Sequence, residues 1–231
     1  MNYYNKVFVD SGIDSSILKK LASFGIEAIK IPKNPFLDDP ICAHPDMNIL
    51  KIGYKTFVLD KKYAKIAGNS TCIEFEHNIK CQYPYDVKLN AAMCGKDIIC
   101  NKNYIAKEAS DFANAENFRI INVKQGYAKC NICIVNDNSI ITEDSGIAKV
   151  LADYSYNILL LETHYVKLNG YQYGFIGGAS GKISENKLGF CGDISKHPEY
   201  TKIYNFCKKF DTEPVSLSNI PLYDYGSIVK V

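Results

Sequence analysis

The chain has 231 residues, with 27 Lys and Arg against 25 Asp and Glu for a formal net charge of +2. This balance leaves no basic run to track a phosphate backbone, and apolar runs such as residues 158–161 fall far short of the about 20 residues that a bilayer needs, so neither nucleic acid nor a membrane is an expected partner. Nine cysteines, with no secretory pattern readable in MNYYNKVFVD, are expected to be reduced and mostly packed as small hydrophobes in a cytoplasmic protein.

Residues 7–10 (VFVD) form a short apolar run ending in a turn-forming acid. Residues 15–24 have helical spacing and stop at Gly25, residues 27–32 read as a strand, and residues 48–52 form a third run after a loop. The same order returns at TFVLD from Thr56, DIICN from Asp97, SIITED from Ser139 and KLGFCGD from Lys187. That makes five copies of roughly 40–50 residues, near 7–55, 56–96, 97–138, 139–186 and 187–231. Helices are predicted at 104–114, 145–153 and 198–210, with a weak one at 61–67. Second strands fall near 72–76, 119–123, 157–162 and 213–217, and third strands near 88–94, 129–135, 173–184 and 224–229. Turns such as Gly95-Lys96 join each third strand to the next copy, so that pair reads as a hairpin. Asp10, Asp60, Asn101, Asp144 and Asp193 share one offset after the first strand of each copy. A β-α-β-β unit buries one sheet face under its helix, and five units closed around an axis bury the rest. The expected fold is a single α/β domain of pseudo-fivefold order, with an ordinary α/β sheet of similar element order as the alternative.

Aligned third strands superpose Asp46-Met47-Asn48, Lys88-Leu89-Asn90 and Lys129-Cys130-Asn131, followed by Gly178-Ala179-Ser180 and Asp224-Tyr225-Gly226. Strand alternation sends the outer members of each triplet to one face and the middle members to the other. Around an axis this predicts a polar pore ringed by Asp46, Lys88, Lys129 and Asp224, and by Asn48, Asn90, Asn131 and Ser180. Such rings either satisfy themselves by ion pairs or face a small polar or zwitterionic ligand. Alternation also places Cys130 with Met47 and Leu89 on the apolar face, where a thiol is inert packing.

With AHPDM at 43–47, GYAKCN at 126–131, GYQYGFIGGASGK at 170–182, GDISKHP at 192–198 and LYDYGS at 222–227, the chain resembles the pentein superfamily. It is most similar to a bacterial branch of that superfamily of unknown function. The resemblance implies a five-unit α/β-propeller of guanidino-modifying enzymes and non-catalytic relatives such as the ribosome anti-association factor. For the enzymes it implies a cysteine nucleophile, a histidine that moves protons and carboxylates that grip a guanidinium, with no cofactor. The matching positions are Cys130, His44 and Asp46, with Asp224 as a second carboxylate. The enzymes carry the histidine in mid-chain and the cysteine in the last unit, whereas here they fall in the first and third copies. The ligand expected is a guanidino or amino-acid-like molecule, and neither its identity nor an oligomeric state follows.

Three other patterns point elsewhere than chemistry. Cys130 and Cys133 have CxxC spacing, yet on a strand their sulfurs diverge. Histidines 44, 77, 164 and 197 show no metal-ligand spacing, and His77 and His164 read as loop residues. Glycines 174, 177, 178 and 181 lack the order of a phosphate loop and read instead as backbone that approaches the axis closely.

Overall fold

A computed structural model describes residues 6–75 and 79–231; His77 and the predicted strand end at residue 76 lie outside the described residues. The chain opens with β1 (Lys6–Asp10), α1 (Ser15–Ser23), β2 (Glu27–Ile31), a one-turn helix α2 (Pro45–Asn48) and β3 (Ile49–Lys51). Next come β4 (Thr56–Leu59), a 3₁₀ segment at Lys61–Ala67 and β5 (Thr71–Glu74), then β6 (Ala92–Cys94), β7 (Asp97–Cys100), α3 (Lys107–Ala115) and β8 (Arg119–Asn122). A second one-turn helix, α4 (Ala128–Asn131), leads into β9 (Cys133–Asn136), β10 (Ser139–Thr142), α5 (Ser145–Ala152) and β11 (Asn157–Leu160). The chain ends with β12 (Ser180–Ser184), β13 (Lys187–Phe190), α6 (Tyr200–Lys209), β14 (Glu213–Ser216) and β15 (Val229–Lys230).

These strands form five sheets of three, each built alike: a third strand, the first strand of the following copy antiparallel to it, and the second strand of that copy parallel. The last strand closes the ring on the first, Val7 facing Lys230 and Phe8 facing Val229. Third strands lie innermost, since β6 touches β9, β9 touches β12 and β12 touches β15. First strands are the middle layer and are buried almost throughout, whereas second strands are only partly covered. The near-continuous apolar runs of the first strands follow from this position, with a covered face on either side.

The shared acid or amide after each first strand has one local job. Asp10 accepts from the Gly12 amide, Asp60 from Lys62, Asn101 from Asn103 and Asp193 from Ser195, each two residues on, and Asp144 accepts from Ile147. Each side chain satisfies an amide that the turn out of the strand would leave orphaned. The caps of α1, α3 and α6 are not these residues, however; Asp14 caps α1, Ala106 precedes α3 and Glu199 precedes α6.

The third strands begin later than the sequence spacing suggests. Pro45–Asn48 and Ala128–Asn131 are helical turns, and Lys88 to Asn90 lie ahead of β6, so the first three aligned triplets are not on strands. Proline at the first position of α2 supplies the fixed φ that starts such a turn. No helix among the described residues is long and apolar enough to cross a membrane.

Candidate active site

The one-turn helices α2 and α4 stand between two cavities and present different residues to each. Asp46 and Lys129 line a cavity of about 400 Å³ walled by the third strands. Met47 and Cys130 line another of about 250 Å³, together with His44, Asp224 and the rings of Tyr127, Tyr171, Tyr173 and Phe175. The smaller one holds a thiol, an imidazole and a carboxylate, which makes it the candidate for chemistry.

Between the cavities runs a polar layer. Ser227 Oγ donates to Asp46 Oδ2 at 2.6 Å, Lys129 Nζ donates to Ser227 Oγ at 2.8 Å, and Lys129 Nζ also reaches the Gly177 carbonyl at 3.4 Å. Asn90 organises the same layer. Its Nδ2 donates to Cys130 Sγ at 3.0 Å and to the Asp46 carbonyl at 3.1 Å, and its Oδ1 accepts from the Lys129 amide at 2.8 Å. Asn90 therefore fixes the backbone of α4 and the thiol it carries. Asp46 Oδ1 is buried without a hydrogen-bond partner.

Asp224 is held rigidly, Oδ2 accepting from the Phe175 amide and Oδ1 from the Gly226 amide, both at 2.9 Å. His44 Nδ1 lies 3.8 Å from Asp224 Oδ1 and its Nε2 lies 3.9 Å from Asp10 Oδ2, so the imidazole sits between two carboxylates. Gly226 permits this approach: its φ is +66°, and a Cβ there would lie 2.2 Å from that of His44. Burial raises the pKa of Asp224, opposed by His44 and assisted by Asp46. Burial also raises Asp10. The Cys130 thiol is pushed well above its usual value by burial and then by Asp46 and Asp224, against the Asn90 hydrogen bond. Cys130 is therefore held as a neutral thiol.

The remaining ring members sort by their partners. Asn48 spends Oδ1 on Asn34 and Tyr63 and Nδ2 on the Cys42 and His44 carbonyls, and Asn131 donates to the Tyr127 carbonyl. Both brace loops rather than line a cavity. Lys88 leaves the axis, its ammonium 5.8 Å from the centre of the Tyr85 ring. Ser180 lines the larger cavity and donates to the Gly177 carbonyl at 3.3 Å. Asp46 likewise belongs to the larger cavity and the layer behind Cys130, not to the wall that His44 and Asp224 share. Cys130 and Cys133 pack into different apolar clusters, as divergent sulfurs require.

Glu143 escaped the sequence reading, which saw only the strand and cap around it. Its Oε2 accepts from the Ile176 amide at 3.2 Å, and its Oε1 lies 3.7 Å from His164 Nδ1. His164 in turn stacks on Tyr173 with centroids 4.0 Å apart. Glu143 thus anchors the 173–176 wall of the smaller cavity. Burial pushes its carboxyl up to about 7. The folded state then keeps a proton that the unfolded chain releases above its ordinary value of 4.5, so stability falls as pH rises from there to about 7 and levels off beyond. Glu143→Gln is expected to remove a slope worth on the order of 3 kcal/mol. Urea denaturation of both proteins at stepped pH checks it, and parallel curves would refute it.

A family model described as a family of unknown function, DUF6873, matches residues 8–229. The chain belongs to that family. No curated protein matches it by sequence. Among solved structures it is similar to an inosamine-phosphate amidinotransferase from Streptomyces griseus, with TM-score 0.57 and 9% identity over 93% of this chain and 78% of that one. A mutant dimethylarginine dimethylaminohydrolase from Pseudomonas aeruginosa in complex with citrulline gives 0.56 and 6%, over 93% and 92%. A substrate-bound mutant agmatine deiminase from C. jejuni gives 0.53 and 10%, over 100% and 95%. The fold is the pentein propeller that these three structures share.

Proposed function

We propose that the protein is a cysteine-dependent hydrolase or deiminase of small amidino or guanidino compounds, acting in the 250 Å³ cavity. The supporting observation is that Cys130, His44 and Asp224 line one cavity whose other walls are aromatic and aliphatic. Its volume lies below the roughly 300–1,000 Å³ of drug-sized sites, so the occupant is small. No Lys or Arg is among its lining residues, whereas carboxylates surround His44, which suits a planar cation without a carboxylate of its own.

Asp224 holds the cation, and the positive charge offsets the two carboxylates that add to burial in keeping the Cys130 thiol neutral, so substrate promotes its own nucleophile. The thiol proton passes to His44 as Sγ bonds to the amidinium carbon. His44 returns that proton to the departing nitrogen as the C–N bond breaks, releasing ammonia or an amine. Water then adds to the same carbon as His44 takes one of its protons, the C–S bond breaks to give a urea or an amide, the sulfur recovers its proton from the product's hydroxyl, and His44 passes the other to solvent. Asp46 acts from the layer behind, through its charge and its hold on Ser227 and Lys129. A reducing cytoplasm suits the nine unpaired cysteines.

A second reading, a module that binds the same cation without cleaving it, is favoured by the burial and neutrality of Cys130. Release of ammonia, amine and urea from alkylguanidines, alkylamidines and arginine separates the two. We expect turnover of the carboxylate-free compounds in preference to arginine, and a loss of at least about a thousandfold in Cys130→Ser. Saturable binding of an alkylguanidine with no product and no covalent adduct would leave only the binding module.

A further inference from the structure

The larger cavity carries the opposite charge from the smaller one, and of its lining only Asp46 and Lys129 enter the chemistry above. Four lysines border it, Lys51 from β3, Lys129 from α4, Lys182 from β12 and Lys230 from β15, against Asp46 and Asp137. Lys129, Lys182 and Lys230 already have partners, Lys230 over the Tyr54 ring. Lys129 is tied through Ser227 to Asp46, and Lys182 Nζ donates to the Val135 carbonyl at 3.0 Å and to Thr212 Oγ1 at 3.3 Å. Lys51 is different. Its ammonium donates to the Lys230 carbonyl at 3.1 Å, leaving further donors, and no carboxylate of the described residues lies within ion-pair distance of it. A mostly enclosed ammonium without a counter-ion is costly unless something anionic joins it. Ile49, Leu89, Met93 and Ile228 supply apolar wall beside it.

We propose that this cavity binds a small organic anion, an acid group on an apolar body, with the acid against Lys51 and Lys230 and the body along the aliphatic wall. The state of Lys51 agrees with that geometry: burial and then the neighbouring Lys230 charge bring its pKa down to about 8, and an anion in contact would raise it again.

The test uses hexyl phosphate and hexanoate as probes, with hexylammonium as the charge-reversed control, by calorimetry and by the ¹³Cε shift of labelled lysines. Either anion is expected to bind the intact protein and the ammonium not to. Lys51→Met is expected to weaken binding at least about tenfold, the loss of one charge-assisted contact. Its melting temperature should hold or rise, because it removes a buried charge. If Lys51→Met does not fold, Lys51→Gln carries the same comparison, and the Lys51 titration in the unaltered protein, moving up on addition of the anion, is an independent readout. Cys130→Ser should bind the anions unchanged, which separates this site from the catalytic proposal. The inference is overturned if neither anion binds at millimolar concentration, if Lys51→Met binds equally well, or if Cys130→Ser rather than Lys51→Met abolishes binding.

Discussion

Gly177→Ala is expected to yield no stably folded protein, whereas Gly178→Ala is expected to fold with Asp224 displaced and with cation binding lost. The difference lies in what each new methyl would strike. At Gly177 a Cβ would come within 2.5 Å of the Ile132 and Lys129 carbonyl oxygens and 2.6 Å of that of Cys130. These carbonyls belong to α4 and its exit at the axis, where three units meet and nothing can retreat, so a cost above about 3 kcal/mol follows. At Gly178 the Cβ would lie 2.1 Å from Asp224 Oδ1, a side-chain atom. That carboxylate can swing away, at the expense of its bonds from the Phe175 and Gly226 amides. The pair Gly178→Ala and Asp224→Ala should accordingly be less destabilised than the sum of the two single changes, by at least about 1 kcal/mol in urea denaturation. Strict additivity would show that Gly178 does not shape the carboxylate's seat.

The glycines were legible as close approaches to the axis, because a run with four of them could not be an ordinary central strand. So were the five first strands and the Asp or Asn that follows each, since a buried middle strand and an orphaned turn amide leave the same mark wherever they recur. The axis-facing triplets were misread for a physical reason. Reading them as strands imposed a two-residue period on segments that in two copies are single helical turns, where the chain bends inward before its third strand starts. Successive residues on a helical turn also leave in different directions, about 100° apart. Asp46 and Lys129 therefore still part company with Met47 and Cys130, but into two cavities rather than onto two faces of a sheet. The aromatic wall at 171–175 and the anchor at Glu143 had no such mark. The wall lies in a long loop whose course is set by hydrogen bonds to Asp224 in the next copy and to Glu143 earlier in its own, contacts that have no period along the chain.

Cys130 is expected to react faster with chloroacetamidine, a cationic alkylating agent, than with its neutral analogue chloroacetamide. Exposed Cys81 in the same molecule should show no comparable preference. The thiol is held neutral by burial and by Asp46 and Asp224, and a neutral reagent entering the cavity brings no charge to offset them. A cation offsets the two carboxylates. It is attracted by the carboxylates, and its charge stabilises the thiolate that attacks it. With unit charges a few ångströms apart at partly buried sites, the preference should be on the order of tenfold to a hundredfold over that of Cys81. Asp224→Asn keeps the side chain's shape and an oxygen acceptor while deleting the charge, so it should reduce the preference without removing the cysteine. The rate with chloroacetamide alone should climb with pH beyond the ordinary thiol range, because deprotonation there receives no help from the reagent. Peptide mass spectrometry of the two sites, at matched reagent concentrations, measures both ratios. Equal preferences at Cys130 and Cys81, or a preference at Cys130 that survives Asp224→Asn intact, would mean that the carboxylates do not act on a cation beside the sulfur, and the catalytic assignment of Cys130 would fall with them.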